Sequence, residues 1–139
     1  MIQIITYGVL HGPAPHGDAI TVDLSDALRN PHNDPAMRYL TGLDAAVRNH
    51  VLSTPGADQV IADTVERILA IHFAWAVPRG RHCGAHIYCR GGRHRSVAVG
   101  EAVAERLRGL GFDVEINHRD IGKPVVQAVP EHATSGGPR

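Results

Sequence analysis

"CGAHIYCRGGRHRSVAVGEAVAERLRGLG", residues 83–111, decides the fold. It opens on Cys83 to Cys89, an apolar run that reads as a strand. It closes on a helical stretch in which Val99, Val103, Leu107 and Leu110 recur on one apolar face, while Glu101, Glu105 and Arg108 lie outside it. Gly111 is a natural helix stop. Between strand and helix sits "RGGRH", two adjacent glycines among basic residues. Strand, glycine turn and helix in succession are the signature of an α/β unit.

The flanking sequence repeats the alternation. "IQIITYG", Ile2 to Gly8, is a short β-branched run and predicts a first strand. A Gly- and Pro-rich loop follows, then a second strand over Ala19 to Leu24. Arg29 to Asp44 is a long polar loop with two prolines. A helix begins near Thr41, which can cap it. Residues 56–77 carry Val60, Ile61, Val65, Ile68 and Leu69 at helical spacing and predict the clearest helix. "FDVEINHRDI", residues 112–121, is a fourth strand running into a polar turn. The expected architecture is α/β: a single three-layer-type domain over residues 1–123, with a small, largely parallel sheet and an anion-binding strand–loop–helix. Residues 124–139, rich in Pro, Gly and Ser, are expected to be a disordered tail.

Composition bounds the function. A chain of 139 residues suits one domain. Aromatic residues make up only 4% of it, which argues against a single-strand binder built on base stacking. The formal net charge is zero, so bulk electrostatics do not point to nucleic acid. The distribution of charge is more informative. From Arg67 to Gly100 there is no Asp or Glu, yet Arg67, Arg79, Arg81, Arg90, Arg93 and Arg95 fall there. Cys83 and Cys89 lie in one strand at a separation that a disulfide does not span, which fits a reduced, cytoplasmic protein. No membrane-length apolar run or signal peptide is visible.

The glycine turn has chemistry of its own. Ligands of open α/β sheets bind beyond the carboxyl ends of the strands, and the N–H groups of a helix start aim outward unpaired. Gly91 and Gly92 allow close backbone approach or positive φ. Arginine's planar fork suits a phosphate. Arg90, Gly91, Gly92, Arg93, His94, Arg95 and Ser96 are therefore the candidate anion seat. The alternative is a basic turn solvated by water or paired with acids such as Asp23 or Asp120. Cys89, five residues, Arg95 and Ser96 also match the cysteine-dependent phosphatase pattern, with Cys89 as nucleophile and Arg95 as clamp. His82, Cys83, His86 and Cys89 make a poor metal set, because His86 and Cys89 point to opposite faces of a strand. No cofactor or metal is expected.

Three segments together resemble the C-terminal domain of the RNase adapter protein RapZ family. They are Asn30-Pro31-His32-Asn33-Asp34-Pro35-Ala36-Met37-Arg38 followed by Leu40 to Asp44; Cys89 to Val97; and the pair His118-Arg119. The resemblance covers roughly residues 1–123. It implies a fold like part of a sugar-phosphate kinase that does not act as one. It implies a regulatory module that senses glucosamine-6-phosphate and binds small RNA, and a homo-oligomer. The implied ligand contacts are His32, Gly91, Gly92, His94 and Arg95, with Asp23 a weaker candidate and His118 and Arg119 nearby. The implied partners are a phosphorylated small molecule, small RNA and a protein. Family proteins usually carry a P-loop kinase-like domain; no Gly-x-x-x-x-Gly-Lys-(Ser/Thr) occurs here, so nucleotide binding is not implied. Arg90 stands where the family often has Thr, and the basic run after His118-Arg119 is reduced to Asp120 and Lys123.

Overall fold

The computed structural model describes residues 1–126, so the expected tail falls outside the described residues beyond Val126. Four strands, β1 (Ile2–Gly8), β2 (Ile20–Asp23), β3 (Cys83–Cys89) and β4 (Val114–His118), form one sheet in the order β2-β3-β1-β4. Every neighbouring pair is parallel. Parallel neighbours need long crossovers, and helices supply them. Helices α1 (Ala45–Leu52) and α2 (Ala57–Ile71) connect β2 to β3, and α4 (Arg95–Gly109) carries the chain from β3 past β1 to β4. The α/β class and the parallel sheet are as expected.

The layers are fewer than expected. Ile2, Ile4 and Thr6 of β1 and Cys83, Ala85, Ile87 and Cys89 of β3 are buried on the face that meets α2 and α4. Cys83 Sγ lies 3.5 Å from the Ile68 carbonyl of α2, and at Gly100 of α4 a Cβ would come within 2.7 Å of Thr6 Cγ2. Both helices thus cover the same side. The opposite side carries Gln3, Thr21, Asp23, Glu115 and Asn117, all exposed. Among the described residues the domain has two layers, because alternate positions of the strands are polar and give a second helix layer too little to bury. On that open side Tyr7 and Tyr88 stack with ring centroids 5.0 Å apart.

Two helix expectations need correction. The long helix does not run to Val77. It ends at Ile71, widens into a π turn over His72–Ala76 and closes with the single turn α3 (Val77–Arg79). Pro78 has no N–H to give the Ala74 carbonyl, so a regular helix cannot continue there. Leu110 does not extend the apolar face of α4: it stands past the helix end and is 61% exposed. Gly111 ends the segment with φ +93. Thr41 does not cap α1 directly. Asp44 holds the N-cap position, and its carboxylate turns back to accept from the Thr41 N–H at 2.7 Å.

Beyond β4 the chain is fastened by Asp120, which is fully buried. Its carboxylate accepts from the Gly8 N–H at 2.8 Å, from Arg119 at 2.9 and 3.0 Å, and from Lys123 Nζ at 2.6 Å. Burial alone pushes this carboxyl up, but the Arg119, Gly8 and Lys123 bonds outweigh it and hold it well below the usual carboxylate range. A depressed carboxylate stabilises the fold above its unfolded value and loses that contribution as the pH falls. We expect Asp120→Ala to cost about 3–5 kcal/mol near neutral pH, since it leaves buried donors unpaired. The difference from wild type should shrink as the pH drops below about 4. Urea denaturation of both proteins across that range checks it; a pH-independent difference would show that the charge is irrelevant.

Candidate functional site

Past the carboxyl ends of β1 and β3 lies a cavity of about 350 Å³. The loop after β3 supplies Arg90, Gly91, Arg93 and His94, with Cys89 below it and Arg95 from the first turn of α4. The 30–33 segment contributes Asn30, His32 and Asn33. Leu10 and His11 come from the turn after β1, and Lys123 to Val126 from the stretch after β4. Each segment exits the same sheet edge, as a parallel sheet dictates.

The two glycines have different tasks. Gly92 has φ +69, and a Cβ on it would lie 2.7 Å from the Tyr7 carbonyl carbon. A Cβ on Gly8 would in turn overlap the backbone of Gly91 and Gly92. Gly8 and Gly92 are therefore glycine so that two backbones can touch. Gly91 has ordinary φ, nothing within 4 Å of its Cβ direction, and faces the cavity.

The cations are held in contrasting ways. Arg95 is 4% exposed. One terminal nitrogen donates to the Ser25 and Ala27 carbonyls at 3.0 and 3.2 Å, and its buried Nε has no partner. Burial lowers its pKa from the ordinary guanidinium value, and no carboxylate of the described residues forms an ion pair with it, although Asp26 and Asp23 act on it from farther off. Arg93 likewise has no ion pair among the described residues. It donates to the carbonyls of Leu40 and Tyr39 on one side and of Ile121 and Lys123 on the other, which staples two loops across the cavity. Arg90, at the rim, pairs with Asp26 at 3.0 Å in an exposed ion pair. His94 is buried in the N-cap position of α4, and its Nε2 donates to the Arg38 carbonyl at 3.0 Å. Burial lowers the pKa of His94 and, less deeply placed, of His32. Both rings therefore favour the neutral form, able to donate from one nitrogen and accept at the other.

Ser96 is the second residue of α4, in its first turn, and its Oγ accepts from the Cys89 thiol at 3.3 Å. Both cysteines are free and buried. Three other sequence candidates stand outside the cavity wall. Asp23 is turned to the Ser25 N–H at 2.8 Å, which with the Ser25 side chain holds its pKa down. His118 has both ring nitrogens engaged, by Thr6 Oγ1 and by Glu101 Oε2, each at 2.7 Å, in the seam between sheet and α4. Arg119 lies over the Tyr7 ring at 4.9 Å and grips Asp120. Sequence reasoning did not list Leu10, His11, Asn30, Asn33 and Val125, whose place in the wall depends on where their loops fold. The Asn-Pro at Asn30-Pro31 was the available signal: the Asn30 carbonyl side chain accepts from the His32 N–H at 3.2 Å and sets the turn that presents His32.

Comparison with known proteins places the chain. The RapZ C-terminal domain family matches residues 1–122, and the chain belongs to that family. A nucleotide-binding protein of Leifsonia xyli subsp. xyli is 40% identical over 124 residues, 88% of this chain and 41% of the relative. A nucleotide-binding protein of Thermus thermophilus is 40% identical over 121 residues, 87% of this chain and 43% of the relative. One of Thermobifida fusca is 37% identical over 122 residues, 87% of this chain and 40% of the relative. The chain thus spans about two-fifths of the length of these relatives.

The glycines give a paired test. Gly92→Ala should destabilise the protein by about 2 kcal/mol or more, through the left-handed φ and the overlap with β1. Gly91→Ala should leave stability within about 0.5 kcal/mol while narrowing the cavity. Thermal melts of the two variants check it; equal losses would refute the division of roles.

Proposed function

We propose that this member of the RapZ C-terminal domain family is a non-catalytic regulatory module, and that a phosphorylated small molecule seats its phosphate between Gly91, the start of α4 and Arg95. The observation that carries the reading is Arg95: a guanidinium buried in a cavity wall, held only by neutral carbonyls, with one N–H unpartnered. A buried charge without a counter-ion is costly, and an oxyanion at that spot would relieve the cost. Arg93 and Arg95 together bring two positive charges that no carboxylate of the described residues pairs. A phosphate monoester, close to a dianion at neutral pH, matches them in number. His32, Asn30 and Asn33 offer donors and acceptors for sugar hydroxyls across the cavity. This supports a hexosamine phosphate such as glucosamine-6-phosphate, the ligand that the resemblance implies. Arg90, His94 and Ser96 frame the seat; His118, Arg119 and Asp23 act on its supports. The relatives' description as nucleotide-binding belongs to proteins more than twice as long. Among the described residues the wall holds no Phe, Tyr or Trp for a base to stack on, only the smaller imidazoles of His11, His32 and His94, and a sugar phosphate suits it better. Occupancy then tunes a contact with small RNA or a protein partner.

A second reading rests on Cys89, whose thiol lies in the same wall as Arg95 and bonds to Ser96. In a phosphatase that thiol would attack phosphorus. Incubation with an aryl phosphate decides it: turnover abolished by Cys89→Ser would establish catalysis in place of simple binding.

The binding reading is tested by thermal shift with glucosamine-6-phosphate, glucose-6-phosphate and inorganic phosphate. A ligand at ~100 times its dissociation constant should add roughly 2.7 kcal/mol. Arg95→Lys, with the same head charge but no planar fork, should lose most of that gain. No shift with any phosphate, at concentrations up to the millimolar range, would overturn the reading.

A further inference from the structure

The opposite end of the sheet carries a second, unrelated surface. Where β2 and β3 begin, a hollow of about 330 Å³ is lined by Ala19, Ile20, Ile71, Trp75, His82 and Cys83, with Asp18 its one carboxylate. In its wall Ile71, the last residue of α2, is 41% exposed, and in the π turn and α3 Phe73 and Val77 are exposed at 59% and 55%. The segment from Arg67 to Gly100 is acid-free, and three of its guanidiniums surround the patch. Arg79 and Arg81 lie over the Trp75 ring, at 5.4 and 5.9 Å from its centroid, and Arg67 donates to the Thr21 carbonyl. None of the three has a carboxylate partner among the described residues.

This composition is that of a binding surface: a tryptophan fixed by two arginines, exposed apolar groups around a hollow, and unpaired guanidinium forks at the rim. The forks suit carboxylates in pairs. We propose that this end of the molecule docks an acidic, amphipathic segment of a partner protein. One apolar side chain of the segment enters the hollow beside Trp75, and carboxylates flanking it meet Arg67, Arg79 and Arg81. Nucleic acid fits less well. The Arg79 and Arg81 guanidiniums already lie over the Trp75 ring, so a base would have to displace them to stack there. The hollow is mostly apolar, which favours an aliphatic anchor over a phosphate or a lipid headgroup.

The test uses the full chain and a fluorescein-labelled peptide of glutamates with leucine at every third or fourth position, read by fluorescence polarisation. Single-stranded polyuridylate and phosphatidylserine vesicles serve as competing probes. Saturable binding of the peptide is expected. The double substitution Arg79→Glu, Arg81→Glu should weaken it about tenfold or more. The same variant should gain binding to a matching lysine–leucine peptide, a gain that a merely misfolded protein would not show. Val77→Asp, which keeps the arginines, should weaken the peptide as well. All variants should keep the wild-type melting temperature and the wild-type response to sugar phosphate, since the two surfaces are at opposite ends of β3. No binding of the acidic peptide, binding indifferent to both sets of substitutions, or a preference for polyuridylate or vesicles that these substitutions abolish would each overturn the proposal.

Discussion

Everything at the carboxyl edge of the sheet hangs on Gly8. The loop after β3 crosses the end of β1 so closely that a side chain on Gly8 would overlap the backbone of Gly91 and Gly92. The Gly8 N–H lies on the β4 side of β1, beyond the last residue of β4, and is taken by the Asp120 carboxylate, while the Gly8 carbonyl accepts from Arg119 at 3.5 Å. The ends of β1, β3 and β4 are thereby tied at one residue. Neither contact can be made elsewhere: the first is steric and needs the absence of a Cβ, the second needs a charge buried where its three donors converge. Fixing Gly92 against β1 leaves Gly91 as the residue turned to the cavity and delivers Arg95 into its wall.

The acid-poor block of the chain takes its meaning from how its arginines are satisfied. Among the described residues, Arg90 alone of these six pairs with a carboxylate. Arg67, Arg93 and Arg95 donate to backbone carbonyls, and Arg79 and Arg81 rest on an indole ring. Carbonyls and rings orient a guanidinium and satisfy part of its hydrogen bonding, but they leave its net charge in place. A carboxylate would cancel it. Removing acids from residues 67–100 therefore keeps positive potential at both ends of β3, which runs roughly 20 Å from the Trp75 surface to the cavity. Genomic preference accounts for arginine over lysine; it does not account for this placement.

Much of the architecture was legible because it follows from periodicity. Cys83 to Cys89 and Ile2 to Gly8 have the bounds read from the sequence, and the Val99, Val103, Leu107 stripe is buried as expected. What escaped was set by contacts between distant segments. The π turn depends on one proline acting four residues upstream, inside a run whose hydrophobic pattern still reads as helix. Gly91 and Gly92 look equivalent in sequence and differ only in which of them meets β1. His118 enters as a site candidate through the family resemblance, and its ring is engaged in the Thr6 and Glu101 seam. Pro124 to Val126 read as the start of a tail, yet with Lys123 they wall the cavity, next to the Ile121 and Lys123 carbonyls that Arg93 holds.

That last clamp bears on how a bound metabolite could be felt elsewhere. The cavity is small and partly closed by the chain after β4, so a polynucleotide cannot thread it, and a phosphodiester brings one negative charge where two guanidiniums have no ion pair among the described residues. A macromolecular partner must therefore bind outside it. Arg93 touches the cavity and both of the segments that leave it, through carbonyls at residues 39–40 and 121–123. An anion that draws the Arg93 guanidinium inward would have to do so against those carbonyl bonds, and the two segments would shift together. Coupling by this route requires a discrete alternative position of Arg93, and it works only through ligands that distinguish the two positions. A sugar phosphate that reaches Arg95 alone would bind without signalling. On the proposed reading, coupling would rest on Arg93 and affinity on Arg95.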